Sequence, residues 1–227
     1  MLALLLLHAC AGPGDTGAAP DTAAPDDTAA EPWTGPCPPG AVQIDTFCID
    51  AWETTLTGDL GPADQGDTWP ESATTAIAAP IEGVIPSVPL SWYQASAACS
   101  NAGKHLCTVT EWQEACGKTT LPWGEEPPAV EVCAIPAEDQ TTEWTELQPT
   151  GSLPDCRSPE GVYDQIGNAW EWADAEATGP EGAPKAAKMG GAYYAGPGNA
   201  NCVVGPFLDH PPEFSGTIAA RCCVDAR

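Results

Sequence analysis

The chain has 227 residues, among them 32 Asp or Glu and 7 Lys or Arg, so its formal net charge is −25. This length suits one domain of ordinary size together with a tail. The negative charge argues against nucleic acid and anionic lipid as partners, since both require basic surface. Cations and basic protein surfaces fit this charge, and so does a surface that is acidic only for solubility.

Residues 1–10 form a short apolar segment that ends in Leu7-His8-Ala9-Cys10. The segment is too short to span a bilayer and is typical of the end of a signal peptide, although no Lys or Arg precedes it. Its last four residues resemble a bacterial lipobox, in which the cysteine is lipidated and becomes the new N-terminus. We therefore predict an exported lipoprotein of the bacterial outer membrane or periplasm, held to the membrane through Cys10 alone. An ordinary secreted protein is the alternative.

Residues 11–36 and 37–227 differ sharply in composition. The first segment is nearly all Ala, Gly, Pro, Asp and Thr, and such a composition buries too little apolar surface to order itself. It predicts a disordered acidic linker. The rest contains the tryptophans and ten of the 11 cysteines, with no second linker, and is predicted to form one domain. Ten cysteines suit five disulfides and an oxidising compartment.

Two helices are predicted from capping boxes, in which Ser or Thr is followed three residues later by Glu or Gln. Ser91-Trp92-Tyr93-Gln94 opens the first helix, and Gly103 ends it. Thr110-Glu111-Trp112-Gln113 opens the second, and Gly117 follows it. Short apolar runs over residues 42–48, 189–193 and 219–224 predict brief strands. The expected architecture is a loop-rich α+β domain with few helices, braced by disulfides.

Several short motifs, in the same order along the chain, resemble the sulfatase-modifying factor family, which includes the formylglycine-generating enzymes. The two longest span residues 103–112 and 161–172, and in the first of them His105 stands where the family usually has Arg. Shorter ones span residues 47–55, 89–95, 121–124 and 221–223. The resemblance implies a C-type-lectin-like fold over residues 37–223.

The resemblance also implies two disulfides, Cys99–Cys222 and Cys116–Cys202. The other six cysteines of the domain have no such precedent. From proximity alone we predict the pairs Cys37–Cys48, Cys107–Cys223 and Cys133–Cys156.

The residues that the family uses for oxidation are missing. By resemblance, a formylglycine-generating enzyme holds copper(I) through two thiolates five residues apart, and thiolates are soft ligands that suit this ion. The matching positions are Ala195 and Ala200, and the nearest cysteine, Cys202, is the expected partner of Cys116. We therefore expect no copper and no formylglycine-generating activity.

Some relatives are non-haem iron oxygenases, whose sites need two or three histidines. Only His105 and His210 remain after processing, and both are expected to be ordinary exposed histidines. An active family metalloenzyme with displaced catalytic residues is the alternative to a catalytically degenerate domain.

Calcium is the metal that the resemblance implies. The ligands would be the side chain of Asp164, the carbonyls of Gly167 and Ala169, and the carboxylate of Glu171. Hard oxygen donors of this kind suit calcium. The alternative is a cation-free loop in which Glu171 accepts from Arg221 or from the backbone.

Among the nine tryptophans, Trp112, Trp170 and Trp172 are expected in the core, whereas Trp33 and Trp69 are candidates for exposed contacts.

The favoured function is that of a cell-envelope lipoprotein whose degenerate domain acts as a binding or scaffold module. Its ligand would be an unidentified protein, peptide or glycan, and not nucleic acid.

Overall fold

Short elements joined by long irregular stretches make up the described part of the chain. The computed structural model describes residues 33–59, 75–117, 121–122, 132–136, 146–178, 184–203, 207–208 and 216–227. Within these ranges the helices are α1 (Trp92–Asn101) and α2 (Val109–Ala115). The strands there are β1 (Ala41–Ile44), β2 (Phe47–Asp50), β3 (Thr54–Thr57), β4 (Ile77–Pro80), β5 (His105–Leu106), β6 (Trp170–Thr178), β7 (Pro184–Met189), β8 (Phe207–Leu208), β9 (Ile218–Ala220) and β10 (Cys222–Asp225). This is the predicted loop-rich α+β architecture.

One antiparallel sheet joins the two ends of the described chain, with strand order β1-β2-β10-β5. The single strand predicted over residues 42–48 is wrong, because a turn at Asp45 divides it into the hairpin β1–β2. Asp45 has a φ of 49°, a left-handed conformation that Asp tolerates better than most residues. At the sheet's margin, the guanidinium carbon of Arg227 lies 3.9 Å from the ring centroid of Trp33.

The predicted capping box of α1 is confirmed. The Ser91 hydroxyl accepts from the Gln94 N–H at 3.1 Å, and the Gln94 side chain accepts from the Ser91 N–H at 3.1 Å. Both bonds satisfy N–H groups that the start of a helix leaves unpaired. Behind the cap, the small residues Ala95 and Ala98 are buried and let the helix lie close to the strands beneath it.

The second helix begins two residues earlier than predicted, with Thr108 rather than Thr110 as N-cap. The Thr108 N–H donates to the Glu111 carboxylate at 2.8 Å, and the Glu111 N–H donates to the Thr108 hydroxyl at 3.1 Å. Both threonines fit the capping-box pattern. Three residues after Thr108 stands the ionised Glu111, whereas three residues after Thr110 stands the neutral Gln113. A carboxylate makes the stronger hydrogen bond, and its charge suits the N-terminal end of the helix dipole.

A second sheet has the strand order β8-β7-β6-β9, with β6 and β9 parallel. The strand predicted over residues 189–193 is wrong for most of its length, because β7 ends at Met189. Gly190 and Gly191 follow with φ values of 80° and 82°, which turn the chain out of the sheet. The strand predicted over residues 219–224 is interrupted at Arg221, which links β9 in this sheet to β10 in the other.

Five disulfides connect all ten cysteines of the described residues, in the pairs named from the sequence. They are Cys37–Cys48, Cys99–Cys222, Cys107–Cys223, Cys116–Cys202 and Cys133–Cys156. The neighbours Cys222 and Cys223 belong to different apolar clusters, because successive side chains of a strand point to opposite faces. β10 is thereby bonded to α1 on one face and to the end of β5 on the other.

Among the described residues, no helix is long and apolar enough to cross a membrane. Cys10 and residues 11–32 of the predicted linker lie outside the described residues.

Candidate functional site

Residues 161–172 fold into a turn that leads into β6 and is buried over most of its length. Asp164, Gly167 and Asn168 have φ values of 57°, 81° and 53°, a left-handed region that Gly, Asn and Asp occupy most readily. A Cβ atom added at Gly167 would stand 2.3 Å from the carbonyl oxygen of Ala134. The turn is therefore part of the interior, and its glycine is required by packing.

Glu171 and Arg221 form a buried ion pair beside this turn. The Arg221 Nε atom donates to Glu171 Oε2 at 3.0 Å and its Nη2 atom to Oε1 at 2.7 Å. The same guanidinium donates to the carbonyl oxygens of Asp50 at 2.8 Å and Tyr163 at 2.7 Å, and the Trp112 indole donates to Glu171 at 2.7 Å. Arg221 is fully buried, which only a well-bonded guanidinium tolerates.

Two further carboxyl groups are buried in this cluster. Glu53 accepts from the Ala169 N–H at 3.0 Å and from the Asn168 amide at 2.6 Å, and Asp164 accepts from the Gly151 N–H at 2.6 Å. Burial, together with the neighbouring carboxylates, raises the pKa of Glu53 well above its ordinary value. Burial also raises the pKa of Asp164 to about 6. Both carboxyl groups therefore resist ionisation, and the one guanidinium of the cluster is already paired with Glu171.

Two of the four calcium ligands predicted from the sequence, Asp164 and Glu171, belong to this cluster. Asp164 and Glu171 interact electrostatically, and Gly167 and Ala169 lie between them in the turn. Their carboxyl and carbonyl oxygens are hard donors of the kind that suits a divalent cation. Within the described residues no three His, Cys, Asp or Glu side chains form a metal-ligand group. An ion here would therefore depend on two carboxylates, backbone carbonyls and water.

The alternative to a calcium site was a cation-free loop in which Glu171 accepts from Arg221. This contact is present. A carboxylate offers about four lone-pair sites, and Glu171 uses three of them on Arg221 and Trp112. Asp164 therefore has more capacity left for an ion than Glu171.

Ala195 and Ala200, which the resemblance places at the thiolate positions, are both buried and pack in separate apolar clusters. Cys202 is bonded to Cys116. Every cysteine among the described residues is part of a disulfide. These residues therefore offer no free thiolate as a ligand for copper(I).

The two predicted exposed histidines have different outcomes. His105 lies on β5 and is exposed, but its Nε2 atom lies 3.0 Å and 3.1 Å from the two carboxylate oxygens of Glu111. His210 lies outside the described residues.

The tryptophans largely follow the prediction. Trp112, Trp170 and Trp172 are buried, as predicted. Trp33 is partly buried beneath Arg227, and Trp69 lies outside the described residues.

Sequence reasoning missed Glu53 as a member of the buried cluster. The available signal was its place in the motif of residues 47–55, among apolar and aromatic residues that are expected to be buried. An acid is costly to bury there unless it has partners.

Sequence reasoning also missed an aromatic surface beside Ala195. There Tyr194 is 52% exposed, its hydroxyl accepts from the Thr217 hydroxyl at 2.6 Å, and its ring meets Tyr193 edge to face at 5.1 Å.

A cavity of about 280 Å³ opens next to α2. Its lining residues are Thr110, Gln113, Glu114, Cys202 and Val203. The Gln113 amide donates to the carbonyl of Val203 at 2.7 Å, which ties the helix to the segment that carries Cys202.

The family model for the sulfatase-modifying factor enzyme 1-like domain matches residues 14–213. The chain belongs to this family. The matched part of this sulfatase-modifying factor domain includes the buried turn, both helices and the segment with Ala195 and Ala200. It begins inside the segment that composition predicts to be a linker.

Two curated relatives share shorter stretches with this sulfatase-modifying factor domain. It is 32% identical over 130 residues to the formylglycine-generating enzyme of Bos taurus, and this match covers 48% of this chain and 35% of that enzyme. It is 26% identical over 99 residues to hercynine oxygenase of Mycolicibacterium smegmatis, and this match covers 40% of this chain and 22% of the oxygenase. The chain thus spans about a third or less of the length of these relatives.

The fold of the domain is also found in the crystal structure of CarF, with a TM-score of 0.53 and 16% identity. The match covers 80% of this chain and 87% of that one. At this identity the likeness concerns the fold alone. The C-type-lectin-like α+β fold of the sulfatase-modifying factors, predicted from the sequence, is confirmed.

Proposed function

We propose that this chain is an exported lipoprotein whose sulfatase-modifying factor domain is a non-catalytic binding or scaffold module. In this proposal Cys10 carries the lipid anchor, and residues 11–36 space the domain from the bacterial envelope. The observation that carries it is that the cysteines of the described residues are all used in disulfides. Alanines stand at the two positions that the family resemblance assigns to thiolates. Five disulfides suit an oxidising compartment and so support export.

The ligand surface would lie beside Ala195. The exposed ring of Tyr194, held by Thr217 and Tyr193, offers an apolar face with a polar edge, as binding surfaces for proteins, peptides and glycans do. The net charge of −25 favours a basic partner and disfavours nucleic acid.

One experiment on the full chain and its Cys10→Ser variant tests both parts of the proposal. Expressed in a bacterial host, the full chain is expected in the detergent phase of a Triton X-114 separation and the variant in the aqueous phase. Thiol titration of the folded variant is expected to find no reactive group, and all ten thiols after unfolding with reductant.

Equal partitioning of the two proteins would contradict the lipid anchor. A reactive thiol of low pKa in the folded variant, or copper bound to it, would contradict the non-catalytic module. That result would favour an active family metalloenzyme.

We further propose that calcium binds through Asp164, Glu171 and the carbonyls of Gly167 and Ala169, because a cation beside these buried carboxyl groups would stabilise their ionised forms. Calcium is then expected to raise the melting temperature relative to EDTA, with a stabilisation of about 2.7 kcal/mol at a concentration one hundred times Kd. Asp164→Gly should abolish most of this shift, since glycine accepts the left-handed backbone but has no carboxylate.

Asp45→Gly is the matched control, because Asp45 is also left-handed, with a φ of 49°, but lies in the exposed β1–β2 turn. This variant should keep the full calcium shift. Identical melting in calcium and EDTA would remove the metal from the proposal.

A further inference from the structure

His105 and Glu111 connect two elements that are joined by a short stretch of chain. The His105 Nε2 atom, on β5, lies 3.0 Å and 3.1 Å from the carboxylate oxygens of Glu111, in the first turn of α2. The same carboxylate accepts from the Thr108 N–H at 2.8 Å and from the Thr108 hydroxyl at 2.9 Å. Glu111 therefore caps the helix and holds the imidazole at the same time.

The elements that pack around His105 carry acidic residues or no charged residue at all. Helix α1, which packs on β5, contributes no charged residue. The charged groups on the other neighbouring elements are Glu111 and Glu114 on α2, Glu171, Asp174 and Glu176 on β6, and Asp225 on β10. The adjacent cation, Lys104, is paired with Asp50, and Glu171 is paired with Arg221.

We propose that His105 and Glu111 form a pH-sensitive latch, which fastens the start of α2 to β5 while the imidazole is protonated and loosens when the imidazole is neutral. A protonated ring gives a charge-assisted hydrogen bond to the carboxylate, whereas a neutral ring leaves a weaker one. The neutral ring then holds the carboxylate more weakly, so the first turn of α2 is fastened less tightly to β5.

The proton equilibria of the pair agree with this geometry. The hydrogen bond and charge of Glu111, with the charges of Asp225 and Asp174, raise the pKa of His105 above 6.5 although burial opposes this. Burial acts to raise the pKa of Glu111, but its bonds from His105 and Thr108 outweigh it and lower the pKa below 4.5.

The stability contributed by the raised pKa of His105 is complete below pH 6.5 and is lost as the pH rises through the folded-state value. The contribution of Glu111 is complete above pH 4.5 and is lost as the pH falls through its lowered value. The latch is therefore closed in mildly acidic solution and opens toward alkaline pH.

Opening of the latch would also affect the cavity next to α2. Three residues of this helix, Thr110, Gln113 and Glu114, line that cavity. The helix itself stays attached, since Cys107 is bonded to Cys223 and the Trp112 indole donates to Glu171. The latch thus adjusts the order of the first turn and does not unfold the domain.

Amide hydrogen exchange of the full chain between pH 5 and pH 9 tests the latch, with the His105 ring followed by NMR in the same samples. After correction for intrinsic exchange, protection of the Thr108 and Glu111 amides is expected to fall about two- to fivefold as His105 deprotonates, the range for a half-exposed ion pair. Protection that stays constant through the titration of His105 would overturn the proposal.

Two variants separate the latch from ordinary capping. Glu111→Gln keeps a capping-box acceptor but removes the charge, so the pH-dependent step should vanish and the His105 pKa should return toward 6.5. His105→Arg keeps a permanent positive charge, so protection should stay high at every pH. A step of unchanged size in Glu111→Gln would also overturn the proposal, whether or not His105→Arg folds.

Discussion

Replacing Arg221 with methionine is expected to destabilise the domain by about 3–5 kcal/mol, the usual cost of removing one partner of a buried ion pair. The substitution removes two guanidinium bonds from the carboxylate of Glu171 and one from each carbonyl of Asp50 and Tyr163. It also removes the positive charge from a cluster that already holds Glu53 and Asp164. Urea unfolding with the disulfides intact, followed by circular dichroism, measures the loss.

The double variant Arg221→Met with Glu171→Leu is the control for this prediction. Replacing both members of a buried pair with apolar groups is often close to neutral, so the double variant should regain part of the lost stability. Full recovery is not expected, because Glu53 and Asp164 remain buried without a cation. A loss below about 1 kcal/mol for Arg221→Met, the value of a surface pair, would contradict the central role of this residue.

Replacing Gly190 with alanine is expected to destabilise the domain by roughly 3 kcal/mol or more, which places it among the costly single substitutions. Gly190 has a φ of 80°, and an added Cβ would stand 2.2 Å from the carbonyl oxygen of Gln165. That oxygen belongs to the backbone of the buried turn, so it cannot move aside without displacing Asp164 and Gly167. Thermal and urea unfolding both report the effect.

Gly103→Ala provides a matched control, because Gly103 has a φ of 71° and open space around the added atom. It should cost only the strain of the left-handed backbone, about 1–2 kcal/mol. The difference between the two variants isolates the clash with the buried turn. Equal losses would show that the backbone angle alone explains both glycines.

Local signals predicted the elements whose determinants lie close together in the chain. The capping box at Ser91 and Gln94 needs only four consecutive residues, and α1 begins where it predicts. The second helix shows the limit of such signals, since two overlapping boxes fitted the sequence. The ionised Glu111, which also contacts His105 from another element, accounts for the choice of Thr108.

Strands were predicted less well, because an apolar run does not reveal where the chain leaves a sheet. The run over residues 219–224 contains two strands of two different sheets, divided at Arg221. Likewise, the role of Glu53 depends on partners more than 100 positions away, Asn168 and Ala169. No pattern within one segment shows such contacts.

By itself, the sequence determined the family, the number of cysteines available for disulfides, the acidic character and the absence of thiols at positions 195 and 200. These properties depend on residue identity and spacing. Only the tertiary structure showed that the turn over residues 161–172 belongs to an interior cluster of ionisable groups, since Glu53 and Arg221 join it from segments distant in the chain. The energy of a buried charge depends on every group around it, and those groups are brought together by folding.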